Sequence, residues 1–207
     1  MAAPVQAAPP VPLSEYGKLP DVEMSAISPS GDRIAVLTTM RGKRVLLAIQ
    51  DQTTPLQIIA VEGMKIRSMR WVGEDRLFVT SSQTEDLGYG FTTDKFEFEI
   101  GRVIPITPGL EGGIVFSNVK RYVDVILGQY GVREIDGEYF GFFGGLELAH
   151  DGAGSRRGYQ FDHGRPHLFR VNLEKFKVKK MSAAASAGFD RDWLIDSEGQ
   201  VAYTLNI

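Results

Sequence analysis

The side chains best equipped for chemistry crowd into one stretch, "HDGAGSRRGYQFDHGRPH", residues 150 to 167. It holds all three histidines of the chain, His150, His163 and His167. His163 and His167 stand four apart, the spacing that places two imidazoles on one helix face for a metal. Gly164 and Pro166 break that helix, so they read as loop histidines and no metal ligand is assigned. The only serine in the stretch, Ser155, has Ala153 and Arg157 where a Gly-x-Ser-x-Gly nucleophile elbow needs glycines. Arg156, Arg157 and Arg165 are nearly balanced by Asp151 and Asp162, which reads as a solvated insertion, with substrate or partner contact as the sharper alternative. With no Cys in the chain, thiolate chemistry and disulfides are both excluded.

Other candidates carry less. Glu97 and Glu99 alternate with Phe96, Phe98 and Ile100, the pattern of a half-buried strand with one wet face. Asp124 and Asp136 show no acid–base pairing. "GLEGG", residues 109 to 113, lacks the Lys and Ser/Thr of a phosphate loop. "GQYGVREIDGEYFGFFGG", residues 128 to 145, reads as a twisted core strand packed closely through its glycines, with an aromatic binding patch as the alternative. Lys175, Lys177, Lys179 and Lys180 surround Phe176 and Val178 and read as the wet face of a strand. No catalytic residue, cofactor-binding residue or cofactor is assigned.

The elements that must position these residues are strands. Period-two runs predict them at Arg33–Leu37, Arg44–Ile49, Gln57–Val61, Ser68–Trp71, Leu77–Thr80, Lys95–Ile100, Val103–Ile106 and Gly113–Phe116. Further strands are expected at Tyr122–Leu127, Tyr139–Phe143, His167–Leu173, Lys177–Met181, Trp193–Ile195 and Val201–Leu205. Turns fall at Ser30-Gly31-Asp32, Gly73-Glu74-Asp75, Asp136-Gly137 and Ser197-Glu198-Gly199. Helical pieces are expected only at Leu13–Lys18 and Ala183–Ala187. The chain reads as all-β.

At 207 residues, 43% hydrophobic and 24% charged, it can bury a substantial core. A net charge of −3 gives no electrostatic footprint for nucleic acid or an anionic membrane. No apolar run approaches the about 18 residues that span a bilayer. Residues 1–20, opening "MAAPVQAAPPVP", form an Ala/Pro-rich tail. They resemble what remains near an export-signal cleavage site, so a periplasmic or secreted location is expected.

A repeat runs through the strands. "EMSAISPSGDRIAVLTT", "KIRSMRWVGEDRLFVTSS" and "DWLIDSEGQVAYTL" each join a polar turn to an apolar strand, in the first two through an Arg. Ile34 and Leu77 are one step in the low forties apart, and Val201 lies about three such steps further on. That period marks the blades of a β-propeller. The copies due near 117 and 159 are poor: "GGIVFSNVKRYVDVIL" is the candidate for the first, while "DGAGSRRGYQFDHGRP" reads as an inserted loop, and a non-repeating sandwich of similar strands is the alternative. Residues 21–207 should then hold a partial, open propeller of about four four-stranded meander blades, cut before the ring closes.

These segments, with "PHLFRVNLEKFKVKK", resemble the N-terminal part of bacterial serine peptidases of the prolyl oligopeptidase family. The resemblance implies a propeller, usually seven-bladed, set over a C-terminal α/β-hydrolase domain. The serine-proline-x-glycine-aspartate turn also occurs in exported propellers of the TolB type. No counterpart of the hydrolase domain is present, nor the adjacent glutamates with which one branch of the family grips a substrate amino terminus. What the resemblance implies is a segment inactive alone that gates peptide substrates, its partners being the C-terminal hydrolase half of the same protein or a second chain completing the propeller. A free-standing, non-catalytic periplasmic propeller is the alternative. Neither nucleic acid nor membrane is an expected partner.

Overall fold

The structure is a computed structural model describing residues 12, 21–88, 95–150, 158–161 and 163–207. Three four-stranded antiparallel sheets follow one another along the chain. The first is a meander of β1 (Val22–Ile27), β2 (Arg33–Met40), β3 (Lys43–Gln50) and β4 (Thr54–Ala60). The second repeats it with β5 (Lys65–Val72), β6 (Arg76–Glu85), β7 (Phe96–Pro105) and the short β8 (Gly113–Ile114). The third uses β9 (Gln129–Ile135), β10 (Glu138–Gly145), β13 (His167–Asn172) and β14 (Val178–Ser182). A hairpin of β11 (Leu148–His150) and β12 (Tyr159–Phe161) is inserted between β10 and β13. A fourth sheet has two strands, β15 (Arg191–Ile195) and β16 (Val201–Asn206). This is an all-β, open, propeller-like fold.

The alternating pattern explains the stacking. Successive side chains on a strand point to opposite faces, so each sheet offers one face to the blade before and one to the blade after. Ala35, Leu37, Leu46 and Ala48 of blade one meet Trp71, Leu77, Val79 and Ile106 of blade two. The neighbours Phe142 and Phe143 on β10 are both fully buried, but in opposite directions. Phe143 joins Phe78, Val103 and Phe116 between blades two and three. Phe142 joins Leu168, Trp193 and Ile195 between blades three and four. Gly101 on β7 is required by this packing: a Cβ there would lie 2.5 Å from Ile126 Cδ1 and 2.8 Å from Phe78 Cζ.

The repeated Arg ties neighbouring blades. Arg33 of blade one donates to the Glu74 carbonyl at 2.6 Å and to Asp75 Oδ1 at 3.3 Å, both in blade two's turn. Ser30 donates to Glu74 through its backbone N–H at 2.7 Å and its hydroxyl at 2.9 Å. Arg76 extends toward Glu174 of blade three, Nη1 to Oε1 3.9 Å. Between blades three and four, Arg133 donates to the carbonyls of Ile195 and Asp196, each at 2.9 Å.

Several expectations change. The segments Lys95–Ile100 and Val103–Ile106 form one strand, β7, running on through Gly101 and Arg102. Tyr122–Leu127 is not a strand; it is a connection making two isolated bridges, Glu99 to Ile126 and Tyr122 to Glu147. Its alternation arises because Val123 and Val125 pack inward beneath Leu146 and Leu148. Ala183–Ala187 is not helical. Its backbone is held by side chains instead: Arg191 Nη1 on the Ala183 carbonyl at 3.1 Å, Arg165 Nε on the Ala185 carbonyl at 2.9 Å, and His167 Nδ1 accepting the Ala184 N–H at 3.0 Å. No repeat copy starts at 117 or 159; these positions lie in a turn after β8 and in β12. Blade three's copy is the Asp136-Gly137 turn leading into β10, displaced by the 115–128 connection, and the hairpin insertion then lengthens the blade. Leu13–Lys18 and most of the residue 1–20 tail lie outside the described residues.

Candidate functional site

Hairpin β11–β12 folds over the 115–128 connection and leaves a notch where charged and imidazole side chains from four places in the chain converge. Glu147, just before β11, is at its centre. Its strand is pinned by the Leu148 N–H donating to the Arg121 carbonyl at 2.8 Å and the Val123 N–H donating to the Leu146 carbonyl at 3.1 Å. Those bonds also bring Arg121 beside Glu147. On the other side, Phe169 pairs with Lys180 across β13 and β14, and Gly145 pairs with His167 at the start of β13. The sheet register therefore delivers Lys180 and His167 to the same carboxylate.

Glu147 has only 11% of its side chain exposed. Arg121 Nη2 donates to Oε1, and Lys180 Nζ to Oε2 at 2.6 Å. Burial pushes this carboxyl upward, but the Lys180 hydrogen bond and the charges of Lys180 and Arg121 outweigh it and hold the pKa below the ordinary value. His167 Nε2 lies 3.8 Å from Glu147 Oε2. Burial lowers the His167 pKa, the Lys180 charge adds to this, and Glu147 opposes it without reversing it. The imidazole is therefore neutral near pH 7. The His163 ring lies 5.5 Å from that of His167, tilted by 34°.

The notch encloses about 240 Å³. Among the described residues, its lining carries no hydroxyl or thiol beside the imidazoles. Among the described residues, no three His, Asp or Glu side chains are grouped to hold a metal. A wider cavity of about 480 Å³ lies nearby, lined by Ser117, Lys120, Tyr122, Asp124 and Tyr159.

Of the candidate residues, the fold brings together His163, His167 and Lys180. His150 packs edge-on against Tyr159, with centroids 5.4 Å apart, and Arg165 is spent on the Ala185 carbonyl. Ser155, Arg156, Arg157, Asp151 and Asp162 lie outside the described residues. Glu97 accepts from Ser82 Oγ at 2.6 Å and pairs with Arg67 within blade two, while Glu99 accepts from Gln129 at 2.9 Å and ties blade two to blade three. Residues 128–145 form β9, β10 and the sharp turn between them, with both Asp136 and Gly137 at positive φ. Lys177 and Lys179 are exposed around half-buried Val178, as a wet face should be. Lys180 departs from that face by reaching Glu147.

Sequence reasoning missed Glu147 and Arg121. Neither lies in a motif, and their partners stand 26 and 33 residues away along the chain. "LELAH" carried the one available signal, a lone acid between two apolar residues that the fold buries.

No protein-family model matches the chain, and no curated protein matches it. Among solved structures, it is similar to the acylaminoacyl peptidase of Pyrococcus horikoshii with a TM-score of 0.43 and 14% identity. That likeness covers 84% of this chain and 26% of the peptidase. It is similar to hydrazine synthase of Kuenenia stuttgartiensis with a TM-score of 0.37 and 12% identity, over 80% of this chain and 59% of that one. A third likeness is to the AtxE2 isopeptidase, with a TM-score of 0.32 and 10% identity, over 77% of this chain and 33% of the isopeptidase. The chain thus spans about a quarter of the length of the acylaminoacyl peptidase.

Proposed function

We propose that the chain is the propeller segment of a serine-type peptidase. It caps an α/β-hydrolase domain, carried on the same protein or on a second chain, and admits small or unfolded peptides. The observation that carries this reading is the open stack of blades. Leu194, Tyr203 and Leu205 on the outer side of blade four are 64%, 65% and 50% exposed, and Ile27 and Ile58 on blade one are 67% and 54% exposed. Blade faces of this kind are built to be covered, so the stack suits a part that docks into a larger body. The turn–Arg–strand copies support the same reading by their resemblance to the peptidase family. A periplasmic or secreted site belongs with it, on the Ala/Pro-rich start.

The chemistry is then done elsewhere. Serine hydrolysis needs a nucleophile, an oriented base and oxyanion donors in one place, and the described residues of the notch at Glu147 offer imidazoles, a carboxylate and two cations but no hydroxyl. The experiment compares the chain, a prolyl-oligopeptidase-type hydrolase domain and their mixture. The chain alone should neither cleave chromogenic peptides nor take up a fluorophosphonate probe. In the mixture, short peptides should be cleaved while a folded protein is spared. Labelling of the chain alone, lost in Ser155→Ala, would make the Gly-rich loop an active site and overturn the reading. An unchanged substrate range in the mixture would also overturn it and leave a free-standing binding propeller.

A further inference from the structure

We propose that the notch at Glu147 binds a small oxyanion, a carboxylate or phosphate group, through Arg121, Lys180 and the Nε2–H groups of His163 and His167. Nδ1 of His167 accepts the Ala184 N–H at 3.0 Å, and Nδ1 of His163 accepts the Arg165 N–H at 3.3 Å. A neutral imidazole whose Nδ1 lone pair is engaged carries its proton on Nε2. Both rings are thereby fixed as Nε2 donors.

That arrangement selects the ligand. A metal needs a lone pair on the nitrogen it meets, and here the lone pairs are already committed to backbone N–H groups. An oxyanion needs donors, and among the described residues His167 Nε2 has no acceptor at hydrogen-bond length, standing 3.8 Å from Glu147. Charge agrees. Among the described residues, Arg121 and Lys180 both pair with the single carboxylate of Glu147, two cations to one anion. Their side chains are 56% and 41% exposed, so they can swing from Glu147 onto an incoming anion. A space of about 240 Å³ admits a phosphate or a terminal carboxylate. None of this depends on the peptidase reading.

The test is calorimetric titration of the full chain with inorganic phosphate, and with a short peptide bearing either a free or an amidated C-terminus. Saturable binding of phosphate, or of the free-carboxyl peptide but not its amide, is expected, and which of them binds identifies the source of the oxyanion. Lys180→Ala should weaken it about tenfold, the cost of one charge-assisted hydrogen bond. Glu147→Gln should tighten it, because the resident carboxylate competes for the same cations. Nitrogen-15 NMR of the imidazoles supplies a readout independent of binding. Both Nε2 atoms should show protonated, pyrrole-like shifts at pH 7.5, and those of His167 should move with added anion. No saturable binding up to about 10 mM of either ligand overturns the proposal. So does a pyridine-like Nε2, or a zinc-induced rise in Tm lost in His163→Ala with His167→Ala.

Discussion

Gly101 and His167 show how single residues constrain this molecule. A methyl at Gly101 meets Ile126 and Phe78 in the fully packed seam between blades two and three. Gly101→Ala should therefore cost roughly 1–3 kcal/mol, the usual penalty for overpacking, read from the urea midpoint at unchanged slope. A neutral or stabilised variant would show that the seam has slack. His167 yields a pH dependence. Burial first, and Lys180 second, hold its pKa below the ordinary 6.5, so the unfolded chain binds a proton that the folded one resists. Stability is then full above about pH 6.5 and falls as pH drops through the window beneath it. Tm should decline across that window, and His167→Gln should remove part of the decline. An identical slope in the variant would refute the assignment.

At the scale of elements, the blades are joined by paired apolar faces and by hydrogen bonds between turns. Arg33 reaches across to Glu74 and Asp75 with about a quarter of its side chain exposed. Arg33→Met should cost about 1 kcal/mol after solvent screening, measured by urea unfolding. A double mutant with Asp75→Asn should lose less than the sum of the two single changes. The strands of blades one and two were largely legible in sequence because their alternation is regular. β1 and β9 were not. β1 mixes Glu23 and Ser25 into its apolar run, and β9 carries Gly131, Arg133 and Glu134, so pairing with β2 and β10 decides their conformation. The Ala183–Ala187 segment misled in the opposite direction. Its helix-forming alanines yield to Arg165, His167 and Arg191, which engage its backbone from outside. His163 and His167 were visible as a pair, but Glu147, around which the notch is built, has only nonlocal partners and could emerge only from the fold.

At the scale of the whole molecule, the described residues leave two end faces open. Ile27 and Ile58 on blade one, and Leu194, Tyr203 and Leu205 on blade four, combine exposed apolar area with free strand edges. The isolated chain should associate in light scattering at high micromolar concentration, and Leu194→Lys with Tyr203→Thr should reduce that association. A monomer throughout would show that the faces are individually too small to drive contact. The same architecture has a mechanical consequence. Each blade is packed chiefly against its immediate neighbours, so the molecule resembles a short row of linked plates. Blade four is the weakest plate, with two strands gripped on one side by Trp193, Ile195 and Arg133. Its amides should exchange with deuterium well before those of β6 and β10. Pulled by its two ends, the chain should lose blade four first and release the remaining blades as separate extensions.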